Sequence, residues 1–240
     1  MLNGSRPAPL YDRPMKPQAP RIALIHATAL AVEPIAAAFI RHWPEARRMT
    51  LLDDSLSVDL ADAGSLTAEM VRRFVDLASY SKRTGCHGIL FTCSAFGPAI
   101  EAARDAVALP TLKPNEAMFE QALAQCGASG GRLGLIATFD ASIPSMSAEL
   151  LQMAGARQQK IELRTLFVPD AMQDLAQGRA MQHHQKIAEA ARDLGDCDVV
   201  MLAQFSMAAA LPLVQGNLKS PVLSSPDCAV LALKKRMIDE

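Results

Sequence analysis

Gly88-Ile89-Leu90-Phe91-Thr92-Cys93-Ser94-Ala95-Phe96-Gly97-Pro98 reads as a strand, a loop and a helix start. Ile89 to Phe91 is a short apolar run ending in a polar turn, the pattern of a buried parallel strand. Pro98 suits a first helical turn, where its missing N–H is not needed. In a parallel α/β sheet the loop beyond the carboxyl end of a strand is where ligands bind. Cys93 stands in that loop beside the N–H groups of a helix start, a setting that lowers a thiol pKa. A free cysteine is also one of the most commonly buried residues and packs as a small hydrophobe. The loop alone leaves both readings open.

A diffuse repeat extends this unit over the chain. Arg21-Ile22-Ala23-Leu24-Ile25 matches Arg132-Leu133-Gly134-Leu135-Ile136, 111 residues later. Cys86 matches Cys197, Pro110 and Leu112 match Pro221 and Leu223, and Leu52 matches Leu163, all at that offset of 111. One constant offset over separated segments argues for two similar halves. The counterpart of Cys93 is then Gln204, in Leu202-Ala203-Gln204-Phe205-Ser206.

The two halves take the same order of elements. In the first, strands are expected at Ile22–His26, Met49–Leu52, Ile89–Thr92 and Leu109–Leu112, with helices near 31–42, 65–82, 98–107 and 116–125. In the second, strands fall at Leu133–Ala137, Ile161–Phe167, Val199–Ala203 and Val222–Leu223, with helices over 143–154, 171–194 and from about 226. Alternating strands and helices imply right-handed βαβ units, so the fold class is α/β with two parallel sheets and a cleft between their strand ends. The domain reading is a Pro-rich arm over 1–20, a first half of 21–112 plus 226–240, and a second half of 113–225.

Composition narrows the function classes. Of 240 residues, 50% are hydrophobic, which supplies a sizeable core, and a net charge of −1 points away from nucleic acid. No apolar run approaches the ~18 residues of a membrane span, and the N-terminus lacks a signal-peptide layout. Five cysteines without CxxC or zinc spacing fit a reducing cytoplasmic compartment and no structural metal. No phosphate-binding glycine signature is present. The expected cleft gathers His26, Thr28, Asp53, Asp54, Thr92, Cys93, Ser94 and Lys113 from one half, and Thr138, Ser142, Gln204 and Ser206 from the other.

With these residues in place, the chain resembles the aspartate/glutamate racemase superfamily, which includes hydantoin racemases, maleate isomerase and arylmalonate decarboxylase. Leu135-Ile136-Ala137-Thr138 with Ser142 is similar to the segment that opens the second half in that family. Thr92-Cys93-Ser94 stands where the family has Cys-Asn-Thr, and Ala203-Gln204-Phe205 where it has Gly-Cys-Thr. The resemblance implies cofactor-independent proton transfer at the carbon next to a carboxylate, on a small-molecule substrate, in a homodimer. It also implies one cysteine on each face of that carbon. Gln204 departs from this, because an amide only donates and accepts hydrogen bonds near neutral pH.

Cys93 is therefore the expected proton donor, base or nucleophile, and His26 a candidate for the missing second acid or else a structural histidine. Ser94, Ala95, Thr28, Thr138, Gln204, Phe205 and Ser206 are candidates to hold the substrate, through hydroxyls, the amide and helix-start N–H groups. Asp53 is a further candidate, with a solvated turn as its other reading, and Lys113 either meets a distal carboxylate or is a surface lysine. The leading expectation is a single-cysteine racemase or isomerase. The alternatives are a decarboxylase of the arylmalonate type and a carboxylate-binding protein that lost its chemistry.

Overall fold

The computed structural model describes residues 19–238. The expected Pro-rich arm falls almost wholly on residues 1–18, outside them. Two four-stranded sheets form, every neighbouring pair parallel. The first, in the order β2-β1-β3-β4, contains β1 (Arg21–His26), β2 (Arg47–Leu52), β3 (Gly88–Phe91) and β4 (Thr111–Leu112). The second, β6-β5-β7-β8, contains β5 (Gly131–Ala137), β6 (Ile161–Phe167), β7 (Val199–Leu202) and β8 (Val222–Ser224).

Strand alternation builds a core on each face of each sheet. Ile22, Leu24, Leu90 and Leu112 enter one cluster, and Ala23, Ile25, Ile89 and Phe91 enter the cluster on the opposite face. Leu133, Leu135, Val199 and Met201 face one way in the second sheet, and Ile136, Val200 and Leu202 the other. The inner strands are buried on both faces, which explains their near-continuous apolar runs.

The repeat is visible in the strand register. Ile22 pairs with Gly88 and Leu133 with Val199, while Ile89 pairs with Thr111 and Val200 with Val222. All four equivalences keep the offset of 111. The Arg21 N–H donates to His87 Nδ1 at 3.0 Å, and the Arg132 N–H donates to Asp198 Oδ2 at 2.7 Å, the same bond in each half. The edge strands break the offset. His26 pairs with Leu52 and Ala137 with Phe167, so Leu52 corresponds to Phe167 and its match to Leu163 is coincidental.

The helices are α1 (Val32–His42), α2 (Ser55–Ala63), α3 (Ala68–Arg83), α4 (Gly97–Val107), α5 (Glu116–Cys126), α6 (Ile143–Ala156), α7 (Ala171–Ala176), α8 (Ala180–Ala190), α9 (Leu211–Asn217) and α10 (Ser225–Ile238). The helix expected over 171–194 is interrupted, because Gly178 takes a left-handed φ of +77° between α7 and α8. Neither α2 nor α9 is foreseen by the sequence pattern. The polar sequence of α2 buries only Leu56 fully, which leaves a weak periodic signal.

The chain exchanges helices between halves. After β4, α5 packs Ala117, Met118, Phe119, Ala122 and Leu123 into the core of the second sheet. After β8, α10 packs Ala229, Val230 and Leu233 into the core of the first. The two crossings meet, since Ser225 Oγ donates to the Pro114 carbonyl at 2.9 Å and also bonds Asn115 Oδ1. Ser225 and Pro114 are themselves 111 residues apart, so the pseudo-twofold axis runs through this contact. Beside it, Lys113 Nζ bridges Glu101 on α4 at 2.9 Å and Glu149 on α6 at 2.7 Å. Lys113 thus ties the halves together. No helix among the described residues is long and apolar enough to cross a membrane.

Removing the Ser225 hydroxyl leaves buried acceptors unsatisfied, which costs on the order of 1–3 kcal/mol. Thermal and urea unfolding of Ser225→Ala should show a loss of that size, larger than for Ser65→Ala at an exposed turn.

Candidate active site

A cavity of about 610 Å³ opens between the carboxyl ends of the two sheets. Cys93, Ser94 and Ala95 reach it from the loop after β3, and Gln204, Phe205 and Ser206 from the loop after β7. Thr28 and Thr92 also line it, together with Asn115 at the crossing and Phe139, Ser142 and Ser145 from the second half. Cys93 is the one titratable side chain among the described lining residues.

Cys93 lies two residues beyond β3 in extended geometry and caps a short 3-10 helix, Ser94–Phe96, that leads into α4. Burial pushes its thiol above the ordinary 9.0, while a hydrogen bond from the Ala95 N–H pulls the other way. Desolvation prevails because no cation lines the cavity to stabilise a thiolate. The expected lowering of this pKa is therefore reversed: the resting group is the neutral thiol.

Gln204 occupies the equivalent position in the other half, capping the 3-10 helix Phe205–Ala210. Its Oε1 accepts from the Thr138 N–H at 2.9 Å and from Thr138 Oγ1 at 3.3 Å. Its Nε2 donates to Ser142 Oγ at 2.9 Å, and Ser142 Oγ donates onward to the Phe139 carbonyl at 2.7 Å. These bonds assign the amide's orientation and leave one N–H of Nε2 to donate. Thr138, expected from the sequence to hold the substrate, is not a wall residue; it stands behind Gln204 and holds it. Phe205 lines the cavity and packs into the core of the first half.

Two further candidates stand off the wall. His26 is fully buried behind Thr92. Its Nδ1 lies 2.8 Å from Thr92 Oγ1, which donates to the Ile25 carbonyl at 3.3 Å, so Nδ1 carries the proton. Nε2 has no partner among the described residues, and burial holds the imidazole pKa at about 4. A group so placed has no path of direct contact with a substrate, which corrects its reading as the second acid. It backs the strand end that carries Cys93.

Asp53 binds Arg73 Nη2 at 2.6 Å and accepts from Ser55 Oγ at 2.6 Å. Burial raises its carboxyl, but these bonds outweigh it and keep the carboxyl below its usual range. Asp53 anchors the start of α2 and leaves the cavity to others. Lys113 is likewise committed to its ion pairs, and both side chains were offered to the cleft only by their place at strand ends. Thr28 does line the cavity, and its Oγ1 also accepts from the Leu30 N–H at 3.4 Å as a helix cap.

Sequence reasoning missed Ser57, Leu60, Ala61 and Leu66, which come from α2 and the turn after it, and Met172 from α7. The stop signal of Gly64, with φ +68°, was the available clue to α2. Asn115, only 1% exposed, could have been found from its place after β4 at the expected crossing.

Comparison places these observations among known proteins. Residues 22–233 match a family model described as Asp/Glu/Hydantoin racemase. No curated protein sequence matches the chain. Among solved structures, unliganded arylmalonate decarboxylase is 17% identical with a TM-score of 0.60, covering 90% of this chain and 92% of its own. Allantoin racemase from Klebsiella pneumoniae is 18% identical, with a TM-score of 0.64 over 92% of this chain and 88% of its own. A glutamate racemase from Bacillus anthracis is 15% identical, with a TM-score of 0.70 over 92% and 83%. At such identities these likenesses concern the fold.

His26 stays neutral in the folded state while an unfolded histidine protonates below its ordinary 6.5. Its contribution, on the order of 3 kcal/mol, is present above pH 6.5 and is lost as pH falls from 6.5 towards 4. Unfolding measured across this window should show a shallower pH dependence for His26→Gln than for the unaltered chain.

Proposed function

The chain belongs to the Asp/Glu/hydantoin racemase family, and from that premise we propose that it moves a proton at the carbon next to a carboxylate, with Cys93 as its single proton carrier. The observation that carries this reading is the cavity wall, on which one thiol is accompanied only by hydroxyls, amides and apolar groups.

The substrate carboxylate is held by donors of the wall: the hydroxyls of Ser94 and Ser206, the amide of Gln204, and the N–H groups at the start of each 3-10 helix. As an α-carbanion develops, charge moves onto the carboxylate oxygens. Donors fixed in place before the reaction stabilise that charge more strongly than water, which must reorient. Cys93 then delivers its proton: the S–H bond breaks, a C–H bond forms, and the thiolate is left with the Ala95 N–H as its donor.

The carbanion arises in one of two ways. In the first, the thiolate form of Cys93 takes the α-proton of the substrate and the thiol so formed returns a proton to the same face, which gives exchange with retention. Alternatively, carbon dioxide leaves first, the bonding pair remains on the α-carbon, and water later reprotonates the thiolate. The upward push on the Cys93 thiol favours the second course, because decarboxylation asks the protein for an acid and not for a base. In both, Gln204 cannot deliver a proton from the opposite face, so a single product hand results.

Incubation in heavy water with α-substituted acids and substituted malonates, followed by proton NMR, reads exchange, inversion and carbon dioxide loss together. Cys93→Ala should lower turnover by about 10³-fold or more, and Gln204→Ala should act mainly on KM. Gln204→Cys supplies a second carrier and should add inversion of the α-carbon. Full activity in Cys93→Ala would end this reading.

A further inference from the structure

We propose that α2, clamped by Arg73, forms the subsite for the group carried on the substrate's α-carbon and restricts that group to uncharged, apolar chemistry. This deepens the preceding reading and rests on it for the position of the α-carbon.

The two halves wall the cavity unequally. Between β2 and α3, the first half contributes Ser57, Leu60, Ala61, Gly64, Ser65 and Leu66, whereas between β6 and α8 the second contributes Met172. The wall from α2 is the main departure from the twofold plan, so it shapes the cavity on one side of the Cys93–Gln204 pair. Its side chains are short or aliphatic. No Asp, Glu, His, Lys or Arg lines the cavity anywhere among the described residues. A distal carboxylate, as in aspartate or glutamate, would enter without a cation and away from the 3-10 helix starts whose N–H groups serve the first carboxylate, and an α-ammonium would enter without an anion. Unpaired charge is strongly disfavoured in such surroundings. The fitting substrate carries its negative charge next to the reacting carbon and an aliphatic or aromatic group beyond it.

Arg73 is a positioning residue for this wall. From α3 its Nη2 reaches Asp53 Oδ2 and Ser55 Oγ, each at 2.6 Å, and its Nη1 binds Asp59. Asp53 precedes α2, Ser55 begins it and Asp59 lies one turn on, so one guanidinium spans the near end of the helix. On the cavity side Ser57 Oγ donates to the Ala27 carbonyl at 2.5 Å. Leu56 is the only α2 residue fully buried. With so little apolar anchoring, the helix depends on these polar ties for its place.

The test compares 2-phenylpropanoate and 2-methylbutanoate with methylsuccinate, aspartate and glutamate, by calorimetric binding and by deuterium exchange at the α-carbon. The two apolar acids should bind at least about 100-fold better than the three carrying a second charge, and any exchange should follow the same order. Leu60→Arg should narrow the gap between methylsuccinate and 2-methylbutanoate, improving the former by tenfold or more. Arg73→Ala should raise KM for 2-phenylpropanoate about tenfold with kcat falling less than threefold, and Arg73→Lys should recover most of that KM at an unchanged Tm. Cys93-dependent exchange of aspartate or glutamate as fast as the apolar acids would overturn the subsite while leaving the role of Cys93 standing. An unchanged preference in a folded Leu60→Arg would overturn it too. Absence of exchange and binding for every acid would remove the preceding reading, and the subsite with it.

Discussion

The arrangement depends on the tether of the Gln204 amide. Thr138 supplies two donors to its oxygen and Ser142 an acceptor to its nitrogen. An amide held in this way fills the place where the fold's symmetry would put a second proton carrier, and it fills it with a rigid donor. The site is thereby polar on both sides but acidic on one. A thiol in this place would be free to titrate; an amide locked to its neighbours is not. The proposed one-sided proton delivery rests on this bond pattern rather than on any single residue's reactivity.

The surroundings of Cys93 act in the same direction. The Ala95 N–H favours a thiolate, burial opposes it, and burial wins. His26, which stands closest in the chain's logic to a base, is sealed behind Thr92 with its proton on the nitrogen facing that hydroxyl. The seam at Pro114, Asn115 and Ser225 keeps both strand ends at one cavity, and the Lys113 bridges hold α4 to α6 across it. Stability and chemistry are thus separated: the charged groups near the cleft hold elements in place, and the wall itself stays uncharged.

Much of the fold was legible because inner parallel strands must be apolar on both faces. Ile22–Ile25, Gly88–Phe91 and Val199–Leu202 declared themselves by composition, and the repeat gave their equivalence. The edge strands were harder, since they are half-exposed and accept length changes; hence the false match of Leu52 to Leu163. The loops after β3 and β7 were found because chain order alone sends them to the cleft. Roles within the cleft were not found in this way. Whether Asp53 faces a substrate or Arg73, and whether Thr138 faces a substrate or Gln204, is decided by partners distant in sequence. α2 escaped because it buries one residue and relies on ion pairs, which leave no period in the sequence.

The central claim is that Cys93 rests as a thiol in an uncharged cavity. Site-resolved alkylation with iodoacetamide, read by mass spectrometry at the Cys93 peptide from pH 6 to 10.5, measures it directly. The account predicts that reactivity at Cys93 climbs through a midpoint above the ordinary thiol value of 9.0. A midpoint below about 7.5, as an activated thiolate shows, would contradict it.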